Sequence, residues 1–172
     1  MIVSDFLPYL GHSEQNDGLT TLLASLGFDV SKMPAKAQRG YGSASYELNG
    51  LGVELTFEFH TNYTQAYGPP KDGGKAILAA IFAYDRPGTK RSAYTGAIPY
   101  TGGPIHNRTE ALREFGVPFH TEQDDEEIEW DYWMKDGLQV GAFYRPDATI
   151  TYISFSVPLK STLAKLGRKS ED

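Results

Sequence analysis

The sequence predicts an α+β fold built from two tandem helix-strand-strand-strand units, and three observations predict it. First, Asn49-Gly50 and Asp136-Gly137 each sit between runs that alternate apolar and polar residues, the signature of antiparallel hairpins. Second, a short helical pattern that stops at glycine precedes each hairpin, Leu19 to Leu26 before Gly27 and Thr109 to Phe115 before Gly116. Third, a further β-rich run follows each hairpin, Ala76 to Tyr84 and Thr149 to Val157. Leu51 and Val53 match Leu138 and Val140 across the copies, and Tyr46 matches Tyr132. The expected organisation is one domain over residues 1–172, with repeat 1 at about 16–85, a linker at 86–106, repeat 2 at about 107–159 and a tail at 160–172. Antiparallel strands with one apolar face should pack on the helices. Whether the two sets of strands merge into one sheet is left open by the pattern.

In chain order, Phe6, Leu7, Tyr9 and Leu10 suggest a short helix or apron on the core, ended by Gly11. Asn16 or Asp17 can cap a helix whose Leu19, Leu22, Leu23 and Leu26 share one face. Residues 32–42 read as a polar connection. Val53, Leu55, Phe57 and Phe59 then alternate with Glu54, Thr56, Glu58 and His60. Residues 61–75, TNYTQAYGPPKDGGK, have no period and read as a long loop, in which Tyr63 and Tyr67 are candidate contacts for a protein partner. AILAAIFAY is apolar on both faces and reads as a central buried strand. Asn107 and Glu110 stand in capping-box positions before the second helix, and the tail LKSTLAKLGRKSED suggests a short terminal helix or a frayed end.

Composition narrows the function classes. Hydrophobic residues at 40% and charged residues at 22% suit a globular domain rather than a disordered chain. There is no cysteine, which excludes disulfides, thiolate metal sites and a cysteine nucleophile and suits a reducing compartment. The opening MIVSDFLPYLGHSEQ has no basic start, long apolar run or lipid-accepting cysteine, so neither a signal peptide nor a lipid anchor is expected. No stretch approaches a membrane span, and the cytoplasm is the expected location.

The net charge of −6 is local. Glu122 to Asp131 holds seven acids and no base, so the remainder of the chain carries −6 − (−7) = +1. Such a patch steers a basic partner and disfavours nucleic acid; on an edge strand it also discourages pairing between sheets. Beside it stand Trp130, Tyr132 and Trp133, the residue types that anchor protein interfaces. Catalytic signals are weak by comparison. Glu54, Glu58 and His60 could share an exposed face for acid-base chemistry, and His106 and His120 bracket the second helix without a third ligand at metal-site spacing. The glycines of KDGGK lack the spacing of a phosphate loop.

The segments LPYLGHSEQNDGLTTLLASLGF, GLGVELTFEF and YTGAIPYTGG, with NRTEALREFGVP, EWDYW and LQVGAFY, resemble an uncharacterised bacterial family associated with immunity genes of polymorphic or secreted toxins. The resemblance spans roughly residues 4–159. The second half is also similar to the helix-and-sheet repeats of outer-membrane assembly lipoproteins and of a secreted tandem-repeat β-lactamase inhibitor, although this chain lacks the anchor of the former and the disulfides of the latter. These relatives bind proteins. The resemblance therefore implies a non-enzymatic, cytoplasmic immunity protein that neutralises a cognate toxin, a nuclease being a natural basic target, with no cofactor or metal. Glu126, Glu127, Glu129, Asp131 and Trp133 are the expected contacts, followed by Tyr63 and Tyr67. A non-catalytic assembly module and a small hydrolase using the histidines are the alternatives.

Overall fold

Every strand pairs antiparallel with its neighbours in a single seven-stranded sheet. In chain order the strands are β1 (Ser43–Leu48), β2 (Val53–Phe59), β3 (Ala76–Tyr84), β4 (His120–Asp124), β5 (Glu127–Lys135), β6 (Leu138–Tyr144) and β7 (Ile150–Ser156); across the sheet they run β1-β2-β3-β7-β6-β5-β4. This arrangement comes from a computed structural model that describes residues 2–169. The helices are α1 (Ile2–Phe6), α2 (Asp17–Ser25), α3 (Met33–Arg39), α4 (His60–Tyr67), α5 (Arg108–Phe115) and α6 (Lys160–Lys169). The fold class is α+β, and the two sets of strands merge because β3 and β7, the last strand of each half, lie side by side. The two halves do not match element by element. Helices α3 and α4 fall where a connection and a loop were expected, and β4 adds a strand to the second half. The last three residues of the expected tail lie outside the described residues.

Local chemistry sets the ends of the elements. The Asn16 side chain accepts from the Leu19 amide at 2.9 Å and Gly27 follows α2 with φ +84°, while Asn107 accepts from Glu110 at 2.9 Å and Gly116 follows α5 with φ +85°. The reciprocal arm of the second cap goes one residue further back than a capping box, from the His106 amide to Glu110 at 2.6 Å. Asp136 and Gly137 both have positive φ, +50° and +78°, and close the tight turn expected between β5 and β6. Asn49-Gly50 does not form such a turn. Leu48 pairs with Val53 and leaves a four-residue loop, in which Gly52 is needed because a Cβ there would lie 2.3 Å from the Tyr94 nitrogen. The acidic run makes a hairpin of its own, β4 and β5, with Asp125 at φ +51° in its turn and β4 at the sheet edge.

The parity of the strands decides what is buried. Pairing places Trp133, Val140, Phe155, Ile81 and Leu55 in one row across the sheet, with Asp131, Ala142, Ile153, Ala83 and Val53 in the next. The apolar members of these rows form the main core with Val3 and Phe6 of α1, Leu19 and Leu23 of α2, Met33 and Ala37 of α3, and Ala111 and Phe115 of α5. Asp131 is 0% exposed, yet all its needs are met: Arg108 Nε donates at 2.8 Å and its Nη2 at 3.3 Å, Tyr144 Oη donates at 2.8 Å, and Thr121 Oγ1 donates as well. Burial, and then the bond to Asp131, push the Tyr144 hydroxyl far above the ordinary phenol range. Trp133 is 2% exposed, packs tilted against Phe115 with ring centroids 5.0 Å apart and donates its indole N–H to Gly116 O at 2.9 Å.

A second polar knot ties the N-terminal segment to the turn before β3. The Asp72 carboxylate accepts from Ser13 N at 3.0 Å, from Ser13 Oγ, from Gly74 N at 3.2 Å and from His12 Nδ1 at 3.2 Å. Partial burial raises the Asp72 pKa, but these hydrogen bonds outweigh it and hold the group below the ordinary carboxylate range. Two outcomes follow. Replacing Asp131 with Ala strands the Arg108 guanidinium, which is 29% exposed, and should lower stability by about 3 kcal/mol in denaturant unfolding, the low end for a broken buried pair. Because the folded pKa of Asp72 lies below its unfolded one, its contribution is present above the unfolded carboxylate range and fades as pH falls through the folded value. Asp72→Asn should therefore destabilise at neutral pH and reduce the loss of stability between neutral and acidic pH, measured by urea unfolding across that range.

Candidate protein-docking face

The opposite face of the sheet is covered over only part of its area. Tyr63 of α4 seals Ile77 and Ala79 of β3, and α6 sits over β6, where buried Thr162 donates to Gln139 at 2.7 Å. Beyond these helices the face is bare, and its rows are aromatic. Trp130 pairs with Phe143 and Phe143 with Tyr152, which faces Tyr84; the next row carries Tyr132, Gly141, Ser154 and Phe82. Ring centroids form an unbroken ladder: Phe82 to Tyr152 at 5.2 Å, Tyr84 to Tyr152 at 5.5 Å, Tyr152 to Phe143 at 4.6 Å, Phe143 to Trp130 at 5.7 Å and Phe143 to Tyr132 at 6.1 Å. All six rings are half-buried and shield one another, and Tyr67 of α4 lies near enough to Tyr132 for the two hydroxyls to interact.

Gly141 makes this surface possible. A Cβ there would sit 3.0 Å from both Phe143 and Tyr132 and 2.6 Å from Ser154 Oγ, so the missing side chain lets the two rings close over the strand. Burial raises the pKa of the hydroxyls of Tyr84, Tyr132 and Tyr152, which stay protonated as hydrogen-bonding groups at neutral pH. The Trp130 indole Nε1 is buried with no hydrogen-bond partner, an arrangement that costs about 1–3 kcal/mol until an acceptor arrives. Beside it, a hollow of about 390 Å³ is lined by Trp130, Phe143 and Tyr152 together with Glu127, Glu129 and Arg145.

Acids border the ladder. Glu122 pairs with Trp130 at one edge and Glu54 with Phe82 at the other, while Asp124, Asp125, Glu126, Glu127 and Glu129 crowd the tip of the β4-β5 hairpin. The Arg91 guanidinium lies 3.5 Å over the Tyr84 ring, so the face already holds one cation on an aromatic surface.

The expected contact residues divide accordingly. Glu126, Glu127 and Glu129 are exposed at the hairpin tip beside the aromatic face. Asp131 and Trp133 are not presented on this surface, because they point to the helix layer, where Arg108, Tyr144, Phe115 and Gly116 engage them. Tyr63 is not presented either: it is 1% exposed and serves as the inner ring of α4. Tyr67 stacks on it at 4.9 Å and is half-buried; burial first, then the charge of Glu58, push its hydroxyl up to about 12. Phe82, Phe143 and Tyr152, absent from the expected set, are central. Their signal was an aromatic on the polar-parity side of three strands that the register aligns.

The candidate catalytic groups do not assemble. Glu54 and Glu58 share the bare face of β2, but His60 leaves the strand to start α4. His106 pairs with Asp85 at 2.6 Å and His120 with Glu122 at 2.9 Å, two separate hydrogen-bonded pairs. Among the described residues no three His, Asp or Glu side chains gather as a metal site, and no helix is long and apolar enough to cross a membrane. No protein-family model, curated protein or solved structure matches the chain.

Proposed function

We propose that this chain is a non-enzymatic immunity protein of the cytoplasm, which neutralises a cognate toxin by receiving a basic surface of that toxin on its bare aromatic sheet face. The observation that carries the reading is the ladder of Phe82, Tyr84, Trp130, Tyr132, Phe143 and Tyr152, gathered on the face opposite the main helix layer and bordered by acids. Large, stiff aromatic rings lose little freedom on contact and bury much area, and they are the usual anchors of tight interfaces. The acidic hairpin supplies long-range attraction, so encounter is fast and the rings then exclude water. A basic partner also offers further lysine or arginine to pair with Glu127 and Glu129 beside the aromatic rings. A nuclease fits this description, since an enzyme that acts on a polyanion carries a basic active surface which this face would occlude.

Two expectations follow for the complex with the cognate toxin. Replacing Trp130 and Tyr152 with Ala should weaken binding at least a hundredfold by calorimetry, at about 2 kcal/mol for each anchor, while thermal unfolding of the free protein changes little. Reversing Glu127 and Glu129 to Lys should slow association, and by more at low salt than at high. Full inhibition by the doubly truncated protein would refute the placement of the interface; failure of the unaltered protein to inhibit at equimolar ratio would refute the immunity reading.

A further inference from the structure

The chain between β3 and α5 folds back over the end of the sheet as a strap. Tyr94 N donates to Tyr84 O at 2.8 Å, and Tyr94 Oη accepts from Val3 N at 3.5 Å and donates to Ala97 O at 3.1 Å. Beneath the strap, beside Tyr84 at the end of the aromatic ladder, lies a cavity of about 350 Å³. Protein interiors pack closely enough that a space of this size is not a packing defect; it falls at the small end of the ~300–1,000 Å³ range of ligand pockets. Its walls are largely apolar, made by Ala83, Ile98, Ile105, Ile150 and Ile153, with Tyr84, Asp85 and Tyr94 completing the lining. Its mouth is marked by exposed Thr95, Gly96 and His106.

The polar group at the mouth is ordered on every side. The His106 amide donates to Glu110 at 2.6 Å, its carbonyl accepts from Ile150 N at 2.9 Å, and its ring Nδ1 lies 2.6 Å from Asp85 Oδ1. An ionised carboxylate only accepts, so Nδ1 carries the proton and Nε2 is left for a ligand. A site with largely apolar walls and an oriented imidazole at its entrance selects a particular chemistry. Charged and sugar-like molecules would lose more hydration than the walls return, whereas a compact hydrocarbon body with one hydroxyl, which can donate or accept, satisfies both parts.

We propose that this cavity is a second binding site, beside the docking face and sharing Tyr84 with it, for a small and largely apolar molecule carrying one hydroxyl that pairs with His106. The class includes phenols and short hydrophobic alcohols. Occupancy would brace the strap against Ile150 and Ile153, and so against the strand at the centre of the sheet.

The test uses the full chain with labelled isoleucine methyl groups, titrated with phenol and with toluene and followed by NMR. Phenol should shift Ile98, Ile105, Ile150 and Ile153 saturably, and toluene should bind about three- to tenfold more weakly, the worth of one neutral hydrogen bond. His106→Ala should abolish that difference while leaving toluene binding in place, and Ile98→Trp, which fills the cavity from its partly exposed wall, should abolish both. Because His106 is 62% exposed, its removal leaves the core intact, and the methyl spectrum of the free variant verifies this. The proposal is overturned if phenol produces no saturable shifts at these four residues, or if the unaltered protein binds phenol and toluene equally.

Discussion

The parity of β5 governs the molecule. A strand offers alternate residues to opposite faces, so a choice at one position is a choice at all of them. Asp131 and Trp133 are bound into the helix layer, one through Arg108, Thr121 and Tyr144, the other through Phe115 and Gly116. With those two fixed, Trp130 and Tyr132 must point the other way. A buried carboxylate is a costly device for setting parity, since desolvation offsets much of the attraction. What it adds is discrimination: in the alternative parity Asp131 would leave Arg108 and Tyr144 without their partner, while Trp130 would take a place shaped by Phe115.

The candidate docking face is the part of the sheet opposite the main helix layer. Helices α1, α2, α3 and α5 all pack on one side, whereas only α4 and α6 reach the other, over Ile77, Ala79 and Gln139. An antiparallel sheet tolerates a solvated face, but such a face is normally polar. Here β3, β5, β6 and β7 each contribute rings to it, and Gly141 clears the space that lets them meet. The acidic hairpin alongside has two roles that agree: it blocks pairing at the β4 edge and it attracts cations.

Much of the fold was legible where a residue leaves the backbone little freedom. Asp136-Gly137, the asparagine caps and the glycines after α2 and α5 could be read because each fixes φ or satisfies a particular amide. Asn49-Gly50 looked equivalent, but Gly52 had to admit the strap at Tyr94, a neighbour some forty residues away. Helices α3 and α4 run for only seven and eight residues, too short to show a period, and α4 is rich in Thr, Tyr and Asn, which favour other states. β4, His-Thr-Glu-Gln-Asp, has no apolar alternation to reveal it. The acidic side of the candidate site was visible as composition. Its aromatic side was not, because both faces of β5 carry tryptophan, and the group that settles the matter for Asp131 lies 23 residues upstream at Arg108.

Parity can be measured directly in the free protein with two single-tryptophan chains, Trp133→Phe retaining Trp130 and Trp130→Phe retaining Trp133. The account predicts that Trp133 emits at short wavelength and resists quenching by acrylamide, while Trp130 is several-fold more accessible. A quenchable Trp133 beside a protected Trp130 would contradict it, and would move the aromatic ladder off the bare face altogether.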